Sequence, residues 1–247
     1  MTIDSPADLE GLRHIGRIVA QTLQAMKEAV RPGITTAELD QIADQIFKQN
    51  NARSAPRITY SFPGATCISV NDEAAHGIPG SRVIQPGDLV KLDASAECNG
   101  YFADAAITVA VPPMAPRQQK LYNGARAIFE AALNAVRLNQ PISDIGRAAD
   151  RSARRHGYRV IRELPGHGLG RSLHEDPQVP MTFDASATGR MTEGLVFTVE
   201  PHVAIGSARL LQEDDGWTLT TEDGGLVVAF EHTVVVTKGK PILITAL

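Results

Sequence analysis

Asn99-Gly100 lies between Leu89–Ala94 and Tyr101–Val111, two stretches that read as strands. An Asn-Gly pair so placed is the strongest short-range hairpin signal, a type I′ turn. With those two residues at the tip, Cys98 pairs with Tyr101, Glu97 with Phe102, Ala96 with Ala103 and Ser95 with Asp104. Side chains two apart share a face of a strand, so Asp93 lies on the face of Ser95. In the absence of a bulge, Asp93 and Asp104 are diagonal neighbours with Cα atoms about 7–8 Å apart. Two carboxylates that close repel, and one pKa rises. A divalent cation between them removes the conflict. The hairpin therefore predicts a metal site with the Ser95 hydroxyl beside it.

Three almost wholly apolar runs each carry an acid: Leu89–Asp93, Leu195–Glu200 and Leu226–Glu231. A carboxylate ionised in apolar surroundings is costly unless it is paired or bound to metal. An acid at one strand end usually meets solvent, but three such runs in one chain point to a shared centre. Histidines supplement them. His167 sits in Gly166-His167-Gly168-Leu169-Gly170, read as a loop whose small residues allow close approach. His174 follows seven residues later, and His76 lies in the turn-rich Asn71–Gly80 segment. His202 and His232 closely follow candidate acids and suit supporting hydrogen bonds to ligands. His14 and His156 receive no role. Four carboxylates with one histidine form an oxygen-rich set suited to Mn, Fe, Co or Zn, and four acids fit two ions sharing a bridging water.

The rest of the chain frames this chemistry. Ser5-Pro6 opens a helix whose apolar residues, Leu9, Leu12, Ile15, Val19, Leu23, Met26 and Val30, recur at helical spacing until Arg31-Pro32-Gly33. Thr35 and Glu38 form a capping box for a second helix carrying Leu39, Ile42, Ala43 and Ile46. Strands follow, beginning with Cys67–Val70. Helices are then expected from about Pro116 to Arg137 and Ser143 to Arg155, and a second strand-rich stretch includes Leu195–Glu200 and Leu226–Val236. The order helix, helix, strands thus occurs twice. Ala29-Val30-Arg31 recurs as Ala135-Val136-Arg137, and Leu39, Ala43 and Asp44 match Ile145, Ala149 and Asp150 at the same offset of 106. A duplicated α+β unit, with halves of about 6–112 and 113–247 in a single domain 1–247, is the expectation.

Composition excludes other classes. A chain of 247 residues with 43% apolar and 21% charged residues can bury a substantial core. Its net charge of −4 gives no footprint for nucleic acid and no polybasic patch for a membrane. No apolar run approaches the roughly 20 residues of a membrane span. No secretory signal is read at the N-terminus. Two cysteines, Cys67 and Cys98, show neither metal-ligand spacing nor a disulfide framework, so a cytoplasmic protein with free thiols is expected.

Taken in order, NDEAAHGIPG, KLDASAECNGYFAD, PGHGLGRSLHEDPQV, VFTVEP and FEHTVVV resemble the type I methionine aminopeptidases, over about residues 6–245. The resemblance implies a pita-bread fold: two pseudo-symmetric helix-helix-strand halves around a curved, mainly antiparallel sheet. It implies that Asp93, Asp104, His167, Glu200 and Glu231 hold two divalent ions, Asp104 and Glu231 bridging them. His76 and His174 stand at the family's substrate-contacting histidines, and Glu200 at its proton acceptor. Phe62, Cys67 and Trp217 stand where the family builds the methionine pocket. Removal of the initiator methionine from nascent polypeptides, with a preference for a small second residue, is the implied activity. The implied setting is a cytoplasmic monomer, associated with the ribosome, without nucleic-acid specificity or membrane attachment.

The pocket departs from the pattern. Leu173 replaces a residue that is usually aromatic, and Pro56 and Thr59 stand in the lining loop where cysteine and tyrosine are usual. A lost aromatic wall removes packing area against a thioether, so a paralogue with altered first-residue preference is one alternative. A non-catalytic binding module is another, opposed by the presence of all five ligands. X-Pro aminopeptidases, prolidases and creatinases usually carry an extra N-terminal domain, for which 247 residues leave no room.

Overall fold

The computed structural model describes residues 1–246. Helix α1 spans Pro6–Ala29 and opens on a full capping box: the Ser5 side chain accepts from Asp8 N while Asp8 accepts from the Ser5 amide. Helix α2 spans Thr36–Gln49 and begins the same way with Thr35 and Glu38. Their apolar stripes, Leu12, Ile15, Val19, Leu23 and Met26 on α1 and Leu39, Ala43 and Phe47 on α2, are buried in one core with the back of the hairpin. Helix α3, Ala55–Tyr60, occupies what was expected to be a loop around Pro56 and Thr59. Helix α4, Pro116–Asn134, stops short of Arg137. The amides of Ala135 and Val136 turn there to carbonyls three residues back, which tightens and ends the helix. Helix α5, Ser143–His156, ends on Gly157 in the left-handed region. A second core packs α4 and α5 against the C-terminal strands.

Every strand pairing is antiparallel among the described residues. The hairpin joins Leu89–Cys98 to Tyr101–Ala110 in the register expected from the turn, Cys98 opposite Tyr101 and Ser95 opposite Asp104. Asn99 and Gly100 both have positive φ, as the turn type requires. The Cys67–Val70 strand flanks the other edge and puts Cys67 opposite Asp93.

In the second half, the expected Leu226–Val236 strand is two strands, Val227–Ala229 and His232–Val235. Leu195–Glu200 shortens to Val196–Val199, followed by His202–Ala204. The two pieces on each side share one register, Val199 opposite His232 and His202 opposite Ala229. The ladder is interrupted only at Glu200-Pro201 and Phe230-Glu231. Pro201 has no N–H to give, and the Glu231 amide donates instead to Ala106 O, 2.8 Å away on the hairpin. The Gly166–Gly168 segment, expected as a loop, is a short strand beside Val196–Val199.

Two threonines staple the halves reciprocally. The Thr108 hydroxyl donates to Ala229 O at 2.8 Å and accepts from Ala229 N at 3.0 Å. The Thr233 hydroxyl donates to Asp104 O at 2.7 Å and accepts from Asp104 N at 3.0 Å. Both threonines are buried. Thr108→Val leaves two backbone groups without partners and is expected to cost about 1–3 kcal/mol in urea unfolding. Thr108→Ser should retain most of the stability; a valine variant as stable as the parent would remove this account of how the halves are held.

Candidate metal centre

The reciprocal staples bring the hairpin face against the interrupted ladder, so four carboxylates and an imidazole converge. Asp93 and Asp104 come from the hairpin, Glu200 and Glu231 from the ladder break, and His167 from the short strand beside it. Continuing the ladder register by one step past Val199 and His232 sets Glu200 opposite Glu231. Single donor atoms of Asp104, His167 and Glu231 lie within 4.8 Å of one another. His167 Nε2 is 3.9 Å from Asp104 Oδ2 and 3.6 Å from Glu200 Oε1.

Burial makes these groups hard to ionise. It pushes the Asp93 carboxyl up to about 7 and Glu200 up to about 8. Hydrogen bonds from Asp104 and Thr198 respectively offset part of each rise. Asp104 and Glu231 rise well above the ordinary carboxylate range, from burial first and then from the charges of the other acids. His167 falls to about 4, chiefly from burial and next from repulsion by His174. Asp104 Oδ1 and Glu231 Oε1 are buried without any protein partner. Oxygens so placed are rare unless something else binds them. A divalent cation fits both observations: it partners the orphaned oxygens and replaces mutual repulsion by shared attraction. His167 is prepared for the same role, because its Nδ1 lies 3.0 Å from Gly168 O. A carbonyl can only accept, so Nδ1 carries the proton and the Nε2 lone pair faces the acids.

Above the acids opens a cavity of about 510 Å³. His76, Phe62, Cys67, Leu173, His174 and Trp217 all line it, as do the five candidate ligands and Ser95. Phe62 and Trp217 meet edge to face with ring centroids 5.1 Å apart. His167 and His174 lie with centroids 3.9 Å apart. His76 follows the Glu73–Ala75 strand with a φ of 57°, which aims it out of the ladder. The loop carrying His174 is clamped from outside: Arg171 donates to Asp8 at 2.6 Å and lies over the Tyr101 ring.

Thr59 does not join this wall. It is exposed on α3 and lies outside the cavity lining, whereas Pro56 and Tyr60 line it. Tyr60 was missed because the segment reads as a loop; spacing from Pro56 fits Thr59 and Tyr60 alike, and only the folded helix shows that Tyr60 faces the cavity. Its hydroxyl lies 2.7 Å from His174 Nδ1. His202, buried, also lines the cavity with Nδ1 3.0 Å from Glu200 O, and His232 is 2.9 Å from the Thr245 hydroxyl.

This fold and this cluster define a metallopeptidase: the chain belongs to metallopeptidase family M24, whose sequence pattern it matches over residues 10–238. Within the family it stands with the methionine aminopeptidases. It is 43% identical to the methionine aminopeptidase of Staphylococcus epidermidis, over 99% of this chain and 98% of that one. It is 41% identical to methionine aminopeptidase 2 of Bacillus subtilis over all of both chains. The crystal structure of the Thermotoga maritima methionine aminopeptidase superposes with a TM-score of 0.96, at 31% identity, covering both chains entirely. The architecture is the pita-bread fold, and the chemistry of such a metallopeptidase is that of divalent metal ions. Among the described residues, no helix is long and apolar enough to cross a membrane.

Metal removal should expose the cost of the acids. A carboxyl whose folded pKa is raised favours the folded state while protonated and opposes it once ionised. That contribution is complete below the ordinary values of 3.8 and 4.5 and is lost as pH rises through about 7 to 8. Metal-free protein is therefore expected to lose thermal stability between pH 5 and pH 8, with the loss reversed by a divalent ion. Glu231→Gln should raise the Tm of the metal-free protein at pH 8 while weakening metal binding. Scanning calorimetry with and without EDTA decides this; a flat Tm across that range would show that the acids are compensated without metal.

Proposed function

We propose that this chain hydrolyses the N-terminal methionine from polypeptides, using two divalent ions held by Asp93, Asp104, His167, Glu200 and Glu231. One observation carries the reading: orphaned Asp104 and Glu231 oxygens lie beside His167 on the floor of a cavity walled by apolar and sulfur-bearing side chains. The full-length relatives named methionine aminopeptidase support it. By resemblance to the family, Asp104 and Glu231 would be shared between the ions, Asp93 would complete one site, and His167 and Glu200 would complete the other. Co, Mn, Fe and Zn all suit this donor set.

A divalent pair, when bound, acidifies water and polarises a carbonyl. The protein's own groups do the remainder. Phe62, Cys67, Leu173 and Trp217, with Pro56 and Tyr60 on one face of α3, enclose the thioether side chain. Glu200 accepts the proton from the attacking water, and the Thr198 hydroxyl that donates to it fixes its orientation. His174 donates to the oxyanion as the tetrahedral centre forms. His76, on its turned-out backbone, holds the scissile amide in line. Ser95 on the hairpin face orients the water.

Nascent chains with a small second residue, encountered at the ribosome by a cytoplasmic monomer, are the substrates and setting that the family resemblance supports. Leu173 in place of an aromatic wall is the feature through which first-residue preference would broaden.

Hydrolysis of Met-Ala-Ser, Leu-Ala-Ser and Ala-Pro-Ala after EDTA treatment and re-addition of Mn or Co tests the assignment. Metal-dependent release of methionine from the first peptide alone is expected. Cleavage of Leu-Ala-Ser at a similar rate would assign a broader aminopeptidase, and cleavage of Ala-Pro-Ala alone an X-Pro enzyme. His174→Ala is expected to lower kcat by about 10²–10³ with metal content unchanged, the size of one lost oxyanion donor.

A further inference from the structure

We infer that Tyr60 is a positioning residue that fixes the tautomer and ring orientation of His174, so that His174 presents an N–H to the reacting carbonyl. The inference rests on the role given to His174 above and adds the group that enables it.

The geometry is specific. The Tyr60 hydroxyl is 2.7 Å from His174 Nδ1, and the two rings meet at a tilt of 56° with centroids 5.5 Å apart. On its other side His174 lies against the His167 ring. The imidazole is thus held between an aromatic contact and a candidate metal ligand, and the hydroxyl is the only side-chain or main-chain partner of His174 Nδ1 among the described residues. Its neighbour Leu173 is buried with Ala55 and Phe102 and offers no polar group.

Direction follows from what each partner can do. A neutral imidazole has one nitrogen with a proton and one with a lone pair. A tyrosine hydroxyl can donate or accept, unlike the carbonyls that meet Nδ1 of His167 and His202. Desolvation holds the Tyr60 phenol above its ordinary pKa, so it keeps its proton. The hydroxyl has no acceptor except His174 Nδ1 among the described residues. Donation there is the direction we infer, and it places the His174 proton on Nε2. An oxyanion needs a donor, so this is the productive tautomer. Were Nδ1 protonated instead, Nε2 would present a lone pair to developing negative charge.

Tyr60 holds this place because α3 is a helix. Its hydroxyl reaches a loop 114 residues away in sequence, and that loop is independently fixed by Arg171 on Asp8. Both ends of the contact are anchored, which a positioning role requires.

Tyr60→Phe removes the hydroxyl and keeps the ring. With bound metal held at parent stoichiometry, kcat on Met-Ala-Ser is expected to fall about tenfold, the usual size of such a loss, with KM little changed. In ¹⁵N-histidine NMR of the loaded enzyme, His174 should shift from an Nε2–H tautomer toward a mixture. A parent kcat in Tyr60→Phe, or an unchanged tautomer, overturns the inference provided His174→Ala is impaired. Parent activity in His174→Ala overturns the role of His174 itself, and the inference with it, so the two failures are distinguishable. A Tyr60→Phe variant that loses only thermal stability also overturns the positioning role.

Discussion

Four carboxylates are held together where water cannot dissipate their charge. Two unit charges 4 Å apart repel by about 4 kcal/mol at the effective dielectric of a protein near its surface. No fold keeps such groups adjacent unless other interactions force them there and a cation repays the cost. Much of the architecture is intelligible as that enforcement. Thr233 clasps both backbone polar groups of Asp104, and Thr108 does the same at Ala229, two residues before Glu231. The Glu231 amide is itself drawn to the hairpin at Ala106. The acids cannot separate without breaking buried hydrogen bonds that join the two halves.

The interruption of the C-terminal ladder belongs to the same constraint. Had Val196–Ala204 and Val227–Val235 paired without a break, the side chains of Glu200 and Glu231 would be confined to the alternation of a regular sheet. Pro201 frees one strand from the ladder and Ala106 captures the amide of the other. Both glutamates then leave the pleat at the same level and meet the hairpin aspartates. The floor is therefore rigid and made of strands, whereas His76 and His174 are carried on turns at its rim. That division suits a site where ligands must stay fixed and substrate-facing groups must admit a chain end.

Much of this was legible in the sequence, and the limits of legibility have physical causes. The hairpin register follows from Asn99-Gly100 and a period of two, both local, and it placed Asp93, Ser95 and Asp104 correctly. Helices α1 and α2 announced themselves by caps and long apolar stripes. The break at Glu231 was invisible because its cause is on another strand: Leu226–Val236 has no internal signal, and Pro201 acts from across the ladder. The Gly166–Gly168 strand looked like a loop because glycine is ordinarily a poor strand residue; here Gly166 and Gly168 lie where a Cβ would come within 2.5 Å of Thr198 O and 2.3 Å of Asp176 O. Helix α3 is too short for periodicity to show, and its Ile58 and Thr59 are indifferent helix formers. That is why Thr59 was expected in the wall and Tyr60 was not.

Three of the four histidines that line the cavity, His167, His174 and His202, also show how one fold can set imidazoles to different tasks. His167 and His202 each turn Nδ1 toward a backbone carbonyl, and a carbonyl allows one answer, a proton on Nδ1. For His167 the consequence is a free Nε2 lone pair among the acids, as a metal ligand needs. His174 turns Nδ1 toward a side-chain hydroxyl, which leaves the tautomer to the partner's chemistry rather than to the main chain. Backbone partners therefore fix the protonation site of His167 and His202, whereas that of His174 follows a replaceable side chain. On the proposed roles, a substitution at position 60 acts on His174 first, because the Tyr60 hydroxyl touches none of the four acids.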